Sequence, residues 1–260
     1  MVKRIGAVLA LALMFGLSGL VRANSAQDAK PALDKDVAAV LDRAIKALGG
    51  EEALGKVKAA SWKSKTKTTF MGNESEGSSM MILQGIDHAR QEFEGEFNGN
   101  KFKGVTVLND DKGVRKFGDN RQELDKEGVI GQKRIVYLTV IPITILPLKG
   151  KDFKLEMAAE EKVNDKPAVG IKVTGPEKKD FTLYFDKESG FPVRTVAKIP
   201  GFQGEEVTQE TTYSNYKEMA GIQKATKVVT KRNGEKFQEQ EVTEFKLLDK
   251  VDPKTFTDVE

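Results

Sequence analysis

The 260-residue chain has no cysteine, one histidine and one tryptophan, and each scarcity closes off a class of chemistry. Without cysteine there is no disulfide, no thiolate metal site and no lipid attached through a mature N-terminal cysteine. With His88 as the sole imidazole, a zinc site built on the usual three protein ligands would be unusual, and no metal is expected. Asp87 precedes His88 directly, and adjacent strand residues point to opposite faces, so this pair does not make a triad. His88 reads as a surface or hairpin residue. The chain also lacks a Walker loop, a glycine fingerprint for dinucleotides and a Gly-x-Ser-x-Gly nucleophile elbow. Glu92, Glu94 and Glu96 alternate along one strand, but no loop of oxygen ligands frames them, and they read as its solvent side. No catalytic residue and no cofactor is expected, so the chain reads as a non-enzyme.

The N-terminus carries the clearest signal. Lys3 and Arg4 precede an apolar run from Ile5 to Val21, followed by Arg22-Ala23-Asn24, the pattern of a secretory signal peptide cleaved after Ala23. The run falls just short of the roughly 20 residues of a comfortable bilayer span. Residues 1–23 hold three of the 42 basic side chains and no acid, so the remainder balances at 39 against 39. The net charge of +3 therefore belongs to the leader, and neither nucleic acid nor an integral membrane span is expected of the exported, periplasmic product. Residues 24–33 read as a tether and 34–260 as a single domain, large enough to bury a core without cross-links.

From Asp34 to Leu48 the apolar positions Val37, Val40, Leu41, Ala44, Ile45 and Leu48 recur at helical spacing, and Gly49-Gly50 stops the helix. A short second helix from Glu51 ends near Gly55. Beyond Ala59 the period changes to two, with turn residues every eight to twelve positions, which predicts eleven or twelve antiparallel strands. Asn233-Gly234 is the strongest hairpin turn among them. So many strands curl into an open or half barrel. One segment breaks the pattern: Ile135 to Leu148 is almost continuously apolar and contains Pro142 and Pro147, which exclude a regular central strand and predict a kinked helix or buried loop. This segment and the first helix are expected to cover the concave face.

Gathered there, Trp62, Phe70, Met80, Ile82, Phe93, Phe97, Val105 and Val107, with Tyr137, Ile141, Ile145 and Leu146 of the covering segment, would line a hollow suited to hydrocarbon. About ten buried methylenes supply roughly 8 kcal/mol before ordering costs, so such a site holds lipid without catalytic groups.

The helix ending Ala47-Leu48-Gly49-Gly50-Glu51-Glu52-Ala53-Leu54, the long strand around Trp62 and the hairpin Leu183-Tyr184-Phe185-Asp186-Lys187-Glu188-Ser189-Gly190-Phe191-Pro192-Val193 resemble the outer-membrane lipoprotein-sorting (Lol carrier-like) superfamily. The resemblance implies a mainly β fold, an open barrel of about eleven antiparallel strands with a helical lid over an apolar cavity. It also implies transport of a lipid or an acylated lipoprotein across the periplasm. The alternative is a non-enzymatic sensor or scaffold that binds an envelope protein through the same half-barrel.

Overall fold

The computed structural model describes residues 33–70, 72–97, 99–176, 180–201 and 205–259. The expected signal segment and the tether up to residue 32 lie outside the described residues. Asp34 caps helix α1 (Lys35–Leu48), its carboxylate accepting from the amides of Asp36 and Val37 at 2.8 and 3.4 Å, two of the donors a helix start leaves open. The expected stripe is the buried one, with Val37, Leu41, Ala44, Ile45 and Leu48 inward and Val40 half-buried at its margin. Gly49 ends α1 with φ near +126°, and α2 (Glu51–Gly55) follows.

All described strands join one antiparallel sheet. The first meander comprises β1 (Ala59–Phe70), β2 (Asn73–Gln84), β3 (His88–Phe97), β4 (Asn100–Asn109), β5 (Lys112–Phe117) and β6 (Asn120–Glu123). The second comprises β7 (Lys154–Val163), β8 (Lys166–Thr174), β9 (Asp180–Asp186), β10 (Pro192–Pro200), β11 (Glu206–Met219), β12 (Ile222–Arg232) and β13 (Glu235–Leu247). Pairing of β1 with β13, from Ala60↔Leu247 to Thr68↔Gln238, fuses the two meanders and leaves β6 and β7 as free edges.

The sheet thus has thirteen strands where about eleven are implied, because two turns are not announced by composition. One runs through Gly85 (φ +63°) beside an isoleucine, Ile86; the other is Ala220-Gly221 (φ +51° and +83°), with alanine in a position that usually takes glycine, asparagine or aspartate.

The open side between the edges is crossed by α3 (Lys126–Thr144), the link from β6 to β7. Its start is capped by Asp125, which accepts from the Gly128 amide at 2.8 Å. Pro142 falls in the last turn, Ile145 (φ +59°) ends the helix, and Leu146–Lys149 form one turn of 3-10 helix. The apolar plug is therefore helical despite its β-branched residues. Burial against the sheet and α1 outweighs a weak helix propensity. Val136, Tyr137, Ile141, Ile143, Ile145 and Leu148 belong to the same continuous core as the α1 stripe and Leu83, Leu108, Ile171 and Leu183 of the sheet.

The Phe185–Val193 hairpin, which carries the family resemblance, fixes α1 in place. Asp186 is buried and accepts from the amides of Glu188 and Ser189 and from the Ser189 hydroxyl. Burial works against its charge, yet these donors outweigh it and hold the carboxyl below its usual range. Arg43 of α1 donates to the carbonyls of Asp186 and Lys187 at 3.3 and 2.5 Å. Gly190 sits at φ +79°, and a Cβ there would meet the Arg43 backbone and side chain at 3.2 Å. Replacing Gly190 with alanine is expected to lower the urea midpoint by an amount worth about 1–3 kcal/mol with an unchanged slope. A midpoint equal to the native one would mean that the hairpin does not dock the helix this closely.

Residues beyond β13 fold across the outer face of the first meander. Phe256 and Val251 pack on Ala59 and Ile82, and Val259 packs on Val105 and Val107. Arg90 holds this strap by donating to the carbonyls of Thr255 and Asp258.

Candidate functional site

The concave face changes character along the strands. At one end of β1 and its neighbours lie Ala60 and Trp62, opposite Leu83 and Met81 on β2 and Leu247 and Phe245 on β13. Trp62 is 7% exposed, with its ring 6.2 Å from that of Phe245. Further along the same face come Ser64, Thr66 and Thr68, opposite Ser79, Gly77 and Ser75 on one side and Val242, Gln240 and Gln238 on the other. Gln238 donates to Thr68 at 3.1 Å, Thr211 and Thr230 lie 3.3 Å apart, and Thr195 and Tyr213 share a hydrogen bond of 2.9 Å. An apolar floor under the helices thus passes into a wall of hydroxyls and amides.

Two groups mark the boundary. Ser64 Oγ is buried without a hydrogen-bond partner among the described residues. Lys224 of β12 is 6% exposed, its ammonium 5.6 Å from the centre of the Trp62 ring, and it donates to the Ala225 carbonyl at 3.2 Å. Burial alone pushes the Lys224 pKa down to about 8.

The helices are tied to the sheet by arginines that donate to main-chain carbonyls. Arg43 does this for α1. Arg134, buried on α3, donates through Nε to the carbonyl of Lys198 on β10 at 2.9 Å and through its terminal nitrogen to that of Asp180 on β9. Neither contact is signalled by the local sequence, although Arg134, Leu138, Ile141 and Ile145 at three- and four-residue spacing mark one helix stripe that begins with a charge.

The expected lining residues divide. Trp62, Tyr137, Ile141 and Ile145 lie in the core between sheet and helices, with Leu146 partly buried against it. Phe93 is on the same face, at its far end, where its ring covers Gly104 and lies 6.4 and 6.2 Å from those of Phe102 and Phe117. Met80, Ile82, Val105 and Val107 do not join them. They point to the outer face, Ile82, Val105 and Val107 under the C-terminal strap and Met80 into grooves beside it. The strap gives these strands two apolar faces, so Met80-Met81-Ile82-Leu83 and Val105-Thr106-Val107-Leu108 carry no alternation from which to tell inside from outside. The side chains of Phe70 and Phe97 lie outside the described residues.

The hollow itself also differs from expectation. In this conformation the space between sheet and helices is taken by side chains of α1 and α3, with Ile141 and Ile145 at 0% exposure. Surface grooves of about 360 and 490 Å³ instead flank the strap on the outer face, lined by Met80, Arg90 and Glu92, with Lys254 at one and Lys103 at the other. His88 lies on that face too, 3.6 Å from the Asp110 carboxylate and against Phe256. Among the described residues no group of three histidines or carboxylates is placed to hold a metal ion, and no helix is long and apolar enough to cross a membrane.

No family model and no curated protein matches the sequence. Solved structures do match the fold. A LolA superfamily protein from Nitrosomonas europaea aligns with a TM-score of 0.56 at 11% identity, over 85% of this chain and 97% of its own. A DUF1329 family protein from Desulfovibrio piger aligns at 0.52 and 11%, over 85% and 96%. A domain provisionally named as an outer-membrane lipoprotein-sorting protein, from Vibrio parahaemolyticus, aligns at 0.50 and 8%, over 83% and 97%. The likeness first seen in the helix and the Phe185–Val193 hairpin holds at the level of the fold: an open, mainly β half-barrel of Lol-like architecture with helices on its concave face.

Proposed function

We propose that this chain is a periplasmic carrier that shelters the acyl chain of a lipid or lipoprotein against its concave face, without catalysis. The observation that supports this reading is the construction of α3. It is a helix, apolar from Ile135 onward, that plugs the open side of the sheet but pairs with no strand, and side-chain packing, the Arg134 hydrogen bonds and the Lys133–Asp111 ion pair hold it. Such a plug can leave without breaking the sheet. An acyl chain then takes its place, at about 0.8 kcal/mol for each methylene buried. The exchange is one apolar occupant for another, which keeps it reversible. Likeness to the LolA superfamily and lipoprotein-sorting folds adds to this, as does the leader expected at residues 1–23.

Extraction of the protein recovered from its native envelope with organic solvent, followed by mass spectrometry, is the first test. One acyl lipid per chain is expected. A lipid-free protein that also fails to take up a neutral hydrophobic dye such as N-phenyl-1-naphthylamine would refute the reading.

A protein partner is the second reading, and one observation favours it. Phe93, Phe102 and Phe117 form an aromatic cluster at the far end of the concave face, with Phe117 53% exposed. Replacing Phe117 with serine would weaken capture of an envelope protein and leave dye uptake unchanged if this cluster serves a partner.

A further inference from the structure

Sheltering hydrocarbon requires no charge, yet apart from Arg134 and Asp186, whose hydrogen bonds are set by the docking of the helices and the Phe185–Val193 hairpin, the interior holds the Lys224 ammonium. Lys224 stands on the concave face above the only tryptophan, where β12 lies one strand beyond β13 from β1. An ammonium removed from water is costly unless an anion or several acceptors meet it. Here one carbonyl does, and among the described residues no carboxylate forms an ion pair with it. On β1, two residues beyond Trp62 on the same face, Ser64 presents a buried hydroxyl with no hydrogen-bond partner among the described residues. Both groups sit where the apolar floor gives way to the hydroxyl and amide wall. An occupant that satisfied them would have an apolar tail toward α3 and an oxygen-rich anionic head at this boundary.

We infer that Lys224 and Ser64 form a head-group site for the anionic oxygens, carboxylate or phosphate, of an acyl-chain ligand. This rests on the carrier reading and narrows it from any hydrocarbon to an anionic amphiphile. The ammonium supplies a charge-assisted hydrogen bond, the Ser64 hydroxyl donates a second, and the Trp62 ring flanks the cation. A neutral lipid of equal length would leave both protein groups as they are now, so the site discriminates by head group as well as by length.

The test is displacement of N-phenyl-1-naphthylamine by myristate, myristoyl lysophosphatidate and tetradecanol, on the native protein and on Lys224→Met. At least one of the two anions is expected to bind about tenfold or more tightly than the alcohol, the worth of one charge-assisted hydrogen bond. Whichever anion is tighter identifies the head group. In Lys224→Met this preference should vanish while tetradecanol binds as before, which also shows that the variant is folded. Equal displacement by all three ligands on the native protein, or a preference that survives in Lys224→Met, would overturn the inference and leave the carrier reading standing. Failure of every ligand to displace the dye would overturn both.

Discussion

Replacing Arg134 with leucine is expected to free α3 before it unfolds the sheet. The guanidinium makes hydrogen bonds to two carbonyls from a nearly water-free position, and bonds to a charged donor are worth about 1.5–3 kcal/mol each. Leucine removes both. It also relieves the burial of a charge, which offsets part of the loss, so a net destabilisation of about 2–4 kcal/mol is expected. The distribution of this effect matters more than its total. Since α3 pairs with no strand, amide hydrogen exchange should quicken across 126–149 and leave β8–β12 close to native protection. Dye uptake should rise, because a looser plug is displaced at lower ligand cost. Uniform loss of protection over the whole chain, with no gain in dye binding, would show that α3 is a fixed part of the core.

The second large effect has the opposite sign. Lys224→Met is expected to stabilise the empty protein, since methionine fills similar volume and needs no partner. Burial holds the Lys224 pKa near 8, against 10.5 for an unperturbed lysine. A depressed lysine pKa means that between these two values the unfolded chain binds more protons than the native one. Stability therefore rises with pH across that window, and the full penalty is present below pH 8. The depression corresponds to roughly 3 kcal/mol. At pH 7 the variant should exceed the native protein by about this amount, and by pH 10.5 the gap should close. Comparing the two proteins at each pH cancels the tyrosines, among them Tyr216, whose burial raises its own pKa. A variant less stable than native at pH 7 would mean that the ammonium has a partner in solution after all. The stability difference also fits a carrier: a group that destabilises the empty state gives its ligand something to satisfy.

Much of this architecture was legible in the chain. The α1 stripe, its glycine stop and the Asn233-Gly234 turn follow from spacing and from backbone freedom, which are local properties. The two prolines of the apolar segment were enough to exclude a central strand there, and α3 with its 3-10 turn is the result. What the chain withholds is tertiary. Ile82 and Met81 are equally apolar, and only the fold of the C-terminal strap decides that Ile82 faces Phe256 while Met81 faces the helices. Lys224 stands in Gln223-Lys224-Ala225-Thr226-Lys227, a stretch that reads as a solvated strand, and no pattern in it signals a buried ammonium over tryptophan. Arg134 follows Gln132-Lys133 and reads as the polar approach to an apolar run, although it begins the buried stripe.

The presence of a single tryptophan on the concave floor offers the most direct measurement. Trp62 lies inside, in the continuous core that α1 and α3 share with the sheet, and bromine on an acyl chain quenches indole fluorescence on contact. Titration with a fatty acid brominated along its chain is predicted to quench Trp62 saturably at one ligand per protein, and the unbrominated acid should reverse it. Binding of the brominated acid with Trp62 fluorescence unchanged would place the ligand elsewhere on the molecule, and contradict the account.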